Sequence, residues 1–181
     1  MEQTYTGKAI KEHFSNTTLD DFYMLIEGLG SEGKNIINIL NQMKLSKEFN
    51  GKFVGFIENG HDIVANGLKL ELKCNVNQAT DLGKTVGFAS FLQKKNWDYL
   101  IHYTPKAFNT YLNEDKFVVF SKSDLPQIEK YCNDSGSIRW THKLFNEGYK
   151  FNNSGGREEK LRFIKSKIMN FDGLYNLIWH K

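Results

Sequence analysis

Apolar residues first recur at helical spacing. The stretch TTLDDFYMLIEGL (17–29) opens with Thr and Asp, which cap helices, and sets Leu19, Phe22, Tyr23, Ile26 and Leu29 near one face. Over 33–48 the residues Ile36, Ile37, Leu40, Met43 and Leu45 form the expected apolar stripe of a second helix. At KFVGFI (52–57) the period shortens to that of a strand. Farther on, DLGKTVGFASFLQKK (81–95) reads as a helix, WDYLIHYT (97–104) as a buried strand ended by Pro105, and KFVVF (116–120) as another strand. Trp97, Tyr99, Ile101 and Tyr103 are expected in the strand core. A short helix is expected over 123–133, a strand in SIRWT (137–141) and a closing helix over 155–171. Helices come first, then strands with helices between them. This order predicts an α/β or α+β fold: a central mixed β-sheet flanked by helices, preceded by a helical N-terminal segment.

The most informative stretch lies between the second helix and the buried strand: GHDIVANGLKLELKCN (60–75). Asn-Gly is the favoured pair for a two-residue type I′ turn, because both central residues need φ > 0. A turn at Asn66-Gly67 makes Ala65 face Leu68, Val64 face Lys69, Ile63 face Leu70 and Asp62 face Glu71. Alternation then separates an apolar face (Ile63, Ala65, Leu68, Leu70, Leu72, Cys74, Val76) from a polar one (Lys69, Glu71, Lys73, Asn75). Directly opposed Cβ atoms lie ~5 Å apart, so Asp62 and Glu71 repel unless a cation sits between them. Lys73 projects from the same face as Glu71. Two acids and a lysine around one point suit Mg²⁺, which takes one or two carboxylates together with water and phosphate oxygens. Such an ion polarises a phosphate and helps generate hydroxide, and an ammonium beside it stabilises developing charge. Lys-Glu-Lys alternation also decorates solvated hairpins, and ELK alone has little specificity. The context comes from Asp62, placed by the turn, and from the apolar face opposite.

Composition narrows the class. The 181 residues fit one domain, and 40% hydrophobic with 25% charged residues excludes a disordered chain. A net charge of +3 allows a polyanionic partner without demanding one. Cys74 and Cys132 form neither a disulfide framework nor a CxxC metal module, so a reducing, cytoplasmic setting is expected. No window approaches the ~18 apolar residues that span a bilayer, and MEQTYTGKAIKEHF lacks a signal-peptide apolar region, so no membrane partner is expected. GLGSEGKN (28–35) begins like a phosphate-binding P-loop but ends in Asn35 where Ser or Thr is required, and it follows a helical pattern. A Gly-rich joint between two helices accounts for it, with Lys34 as a candidate phosphate contact.

Asp62, followed after a short turn by Glu71-Leu72-Lys73, resembles the PD-(D/E)xK motif of type II restriction endonucleases and related nucleases. The resemblance is nearest to PvuII-like members, in which a GxD segment leads to a turn and ELK, and a helix then leads to a strand similar to FLQKKNWDYLIHY. It covers residues 55–153 in patches. It implies a restriction-endonuclease-like core and Mg²⁺-dependent hydrolysis of double-stranded DNA at a specific palindromic site. It also implies a homodimer whose two-fold symmetry mirrors that site. Mn²⁺ is expected to substitute for Mg²⁺, and Ca²⁺ to bind without turnover. Asp62, Glu71 and the Leu72 position that follows Glu71 hold the ion in this picture, and Lys73 serves the attacking water. Residues 1–50 then form the candidate dimer segment, and 51–181 the catalytic core with the DNA-reading segment. His61 stands where the family often has Pro, and TDLGKTVGF lacks the histidine run with which PvuII-like enzymes read DNA. No recognition sequence follows.

Glu58, four residues before Asp62, either completes a second metal site or is a solvated loop acid, and Glu32 is a weaker candidate from a helix. Asn75 and Lys84 are further candidate DNA contacts. The polar stretch 139–153 offers Arg139, His142, Lys143, Asn152 and Asn153 as phosphate and base-edge donors, and its Asn pair resembles the base-reading pair of PvuII-like enzymes. His102 and His180 have no assignment. Two alternatives stay open: a structure-selective resolvase or repair nuclease with the same active site, and a non-catalytic nucleic-acid-binding module.

Overall fold

The computed structural model describes residues 16, 18–29, 33–55, 60–74, 84–87, 96–109, 112–134, 136–140, 142–151 and 155–180. The chain divides into two compact units, Met1–Ile37 and Asn38–Lys181. The first contains helix α1 (Leu19–Gly28) and the opening of α2 (Gly33–Glu48). Thr18 and Asp21 cap α1 reciprocally: the Thr18 hydroxyl accepts from the Asp21 amide at 3.2 Å, and the Asp21 carboxylate accepts from the Thr18 amide at 2.8 Å.

The second unit is built on a six-stranded mixed sheet. Its strands are β1 (Lys52–Phe53), β2 (Ile63–Ala65), β3 (Leu68–Cys74), β5 (Tyr99–Thr104), β6 (Lys116–Ser121) and β8 (Ile168–Met169), hydrogen-bonded in that order. All neighbours are antiparallel except β3 and β5, which run parallel at the centre. A separate two-stranded sheet pairs β4 (Lys84–Gly87) with β7 (Ser137–Trp140). Helices α3 (Leu125–Tyr131), α4 (Gly156–Lys165) and α5 (Phe171–Trp179) complete the unit's longer elements.

Strand alternation divides the core into two layers. On one face Ile63, Leu70, Leu72, Ile101 and Val119 pack with Leu45 and Phe49 near the end of α2 and with Leu174 and Ile178 of α5. On the other, Leu100, Val118 and Phe120 pack under Ile138 and Trp140 of β7, Ile128 of α3 and Ile164 of α4. Trp97, Tyr99, Ile101 and Tyr103 are all buried, as their pattern predicts.

Three expectations are corrected. Residues Lys84–Gly87, expected inside a helix, form a strand, because the β-branched Thr85-Val86 pair finds a partner in Ile138-Arg139. The closing helix of 155–171 ends at Lys165; Ile168–Met169 adds an edge strand to β6, and Asn170 then caps α5 by accepting from the Gly173 amide at 2.9 Å. In α2, Leu40 and Met43 are each 39% exposed, while Asn41, Leu45 and Ser46 are buried, so the inward stripe is rotated from the one expected.

The hairpin turn is as expected. Asn66 and Gly67 have φ of 48° and 75°, the signature of a type I′ turn, and Asn66 Nδ2 donates to the Ile178 carbonyl of α5 at 2.8 Å. Asn66→Ala loses both a left-handed preference and that hydrogen bond. It is expected to lower stability by about 1–2 kcal/mol, read as a drop in urea midpoint at unchanged slope.

Candidate functional site

The register of β2 and β3 sets out the site. Ile63 faces Leu70, Val64 faces Lys69 and Ala65 faces Leu68, as the turn predicts. The ladder stops there and Asp62 stands at its end. Its amide donates to the Leu70 carbonyl at 2.9 Å, and its Oδ2 accepts from the Leu72 amide at 2.7 Å. The carboxylate thus occupies the hydrogen-bonding place that one more residue of β2 would fill, and it is anchored against β3 at the level of Glu71.

Glu71 and Lys73 project from the face of β3 opposite Leu70 and Leu72. Glu71 is only 8% exposed, which removes it from the class of solvated hairpin charges. Lys73 Nζ lies 3.2 Å from Glu71 Oε1, and its side chain remains 46% exposed. The lysine therefore neutralises the inner acid while its side chain stays half exposed.

Asp62 feels this crowding. Burial, and then the charge of Glu71, push its carboxyl up to about 6, against the opposing pull of the Leu72 amide and Lys73. The negative charge of Glu71, which helps to raise the Asp62 carboxyl, is what a divalent cation between the two would offset. Cys74 is no competing ligand: burial, with Asp62 nearby, pushes its thiol up to about 12, so it stays protonated. Among the described residues no group of three or more His, Cys, Asp and Glu side chains converges. Asp62 and Glu71 supply an oxygen-only pair. That donor set fits Mg²⁺, which keeps several waters and takes phosphate oxygens in its remaining positions.

Parallel pairing brings in a residue to which the sequence pattern gives no role. Lys73 is in register with His102 of β5, and Glu71 with Leu100, so all four share one face. His102 is buried with its ring edge-on to Trp140 at 5.1 Å. Counting alternate positions along WDYLIHYT places His102 opposite the apolar face, but only the parallel register puts it beside Lys73.

The other candidates are scattered through the chain. Lys34 lies in α2 within the first unit, Lys84 in β4, Arg139 in β7 and His142 in a 3₁₀ turn (His142–Phe145). Lys143 is exposed in that same turn. Glu32, Glu58, Asn75, Asn152 and Asn153 lie outside the described residues. No helix among the described residues is long and apolar enough to cross a membrane. Comparison with protein-family models, curated proteins and solved structures finds no match for this chain.

Proposed function

We propose that the chain is a Mg²⁺-dependent endonuclease of the restriction-endonuclease type, hydrolysing phosphodiester bonds of double-stranded DNA at a specific palindromic site as a homodimer. The observation that carries this reading is the cluster of Asp62, nearly buried Glu71 and half-exposed Lys73 at the open end of the β2–β3 hairpin. A mixed sheet with helices on both faces agrees with the core that the motif's resemblance implies. The location agrees too: Lys73 lies toward the carboxyl end of the central parallel pair, where open α/β sheets place ligands.

Asp62 and Glu71 would hold Mg²⁺, which supplies positive charge at the scissile phosphate and acidifies water beside it. Asp62 is kept aimed by the Leu72 amide, so its geometry is set before substrate arrives. Lys73 can turn from Glu71 to the attacking water or the developing phosphorane charge, because its side chain is half exposed. Burial of Glu71 lowers the dielectric around it, which strengthens its interaction with a bound cation. The expected result is linearisation of supercoiled plasmid with Mg²⁺ or Mn²⁺ and none with EDTA or Ca²⁺. Discrete fragments mark a site-specific enzyme; cutting confined to branched junctions would reassign it to the resolvase class.

A further inference from the structure

A groove of about 870 Å³ opens between the Leu112–Lys116 segment and the 143–150 loop, with Lys116, Lys143 and Lys150 along it and Glu114 and Glu147 opposing them. Its position follows from the register. Lys73 pairs with His102, His102 pairs with Val118, and Lys116 lies two residues along β6 from Val118, opposite Thr104. Lys116 therefore sits on the same sheet face as Glu71 and Lys73. It lies two strands away, roughly 10 Å across the sheet. The offset runs toward the carboxyl end of β5, the end at which Lys73 stands. A duplex laid on Lys73 would span that distance in about three nucleotide steps at ~3.4 Å rise each.

The loop wall of the groove is preset. Lys165 of α4 donates to the carbonyls of Asn146 and Glu147 at 2.9 and 3.3 Å and stands 5.6 Å from the Tyr149 ring centre. A cation that braces two loop carbonyls holds Lys143 and Lys150 to either side of them without itself facing the groove's ligand. Lys116 is engaged with Glu114, Nζ to Oε1 at 2.5 Å, so the groove carries an internal counterion that an incoming phosphate must displace.

We propose that this groove seats the phosphate backbone of duplex DNA flanking the cleavage site, with Lys116, Lys143 and Lys150 as its phosphate contacts and Glu114 as the competing anion. The inference rests on the nuclease reading for its substrate, but it is tested without cleavage. The anisotropy of a labelled random-sequence duplex is followed in EDTA over a series of salt concentrations. The double variant Lys143→Ala, Lys150→Ala is expected to reduce the slope of log affinity against log salt by about 2, one phosphate contact per lysine. Arg at both positions restores it. Glu114→Gln, which removes the opposing charge and releases Lys116, is expected to tighten binding. An unchanged slope in the double variant, weaker binding by Glu114→Gln, or displacement of the duplex by polyglutamate as readily as by unlabelled DNA overturns the proposal. A chain that shows the slope change yet never cuts DNA keeps the groove and loses the nuclease. One that cuts DNA with an unchanged slope does the reverse.

Discussion

Lys73→Ala is expected to lose DNA cleavage by about 10³-fold while retaining its fold and its affinity for DNA. The side chain is half exposed and ion-paired with Glu71, so its removal costs stability on the scale of a partly solvated pair, about 1 kcal/mol or less. The chemical loss is larger because the other lysine on this face of β3 is engaged elsewhere. Lys69, two residues earlier on the same face as Glu71, donates to Asn96 Oδ1 at 2.8 Å and is held at the start of the strand. The measurement is single-turnover cleavage in saturating Mg²⁺, with gel-shift affinity in Ca²⁺ as control. Cleavage within tenfold of wild type by a folded Lys73→Ala protein would remove the catalytic role assigned here.

Asp62→Asn is expected to stabilise the metal-free protein at neutral pH and to abolish its activity. The Asp62 carboxyl is raised from about 3.8 to about 6 in the fold. Its neutral form therefore fits the native state better than its ionised form. That contribution is fully present below the unfolded value and is lost as pH rises through about 6, at an order-of-magnitude cost of about 3 kcal/mol at pH 8. Asparagine is permanently neutral and still offers an oxygen to the Leu72 amide, so it escapes this cost. In EDTA the variant should melt several degrees above wild type at pH 8 and level with it near pH 4. With millimolar Ca²⁺ the order should reverse, because an ion that binds only the folded wild type raises its melting temperature, while the variant's neutral amide contributes no charge to hold it. A wild-type melt indifferent to Ca²⁺, together with a variant melting below wild type at pH 8, would mean that Asp62 is simply a structural hydrogen-bond acceptor.

The hairpin that carries the candidate site was more legible than the fold around it. Asn66-Gly67 determines a local turn, and a local turn determines register, so the positions of Asp62, Glu71 and Lys73 needed no long-range information. His102 and the Lys116 groove were not readable that way, because the β3–β5 and β5–β6 pairings join segments far apart in sequence. The unexpected strand at Lys84–Gly87 has the same origin: the sequence there carries a helical apolar spacing, and only the pairing of Lys84–Gly87 with Ser137–Trp140 selects the extended form of those four residues. Helix α5 is hard to read from sequence because FDGLYNLIW has apolar residues on most sides. Its packing of Leu174 and Ile178 on the sheet, with Phe171 stacked on Phe49 at 5.4 Å, is tertiary.

Asp62, Glu71 and Lys73 are proposed to act as one metal-dependent hydrolytic centre. The most direct test incubates long double-stranded DNA of diverse sequence with wild type and with Glu71→Gln, in parallel series of Mg²⁺ and EDTA. Wild type is expected to give discrete 5′-phosphate or 3′-phosphate-ended fragments in Mg²⁺ only, and Glu71→Gln to leave the DNA intact at every Mg²⁺ concentration. Intact DNA from folded wild-type protein in both Mg²⁺ and Mn²⁺, or equal cutting by Glu71→Gln, would contradict it.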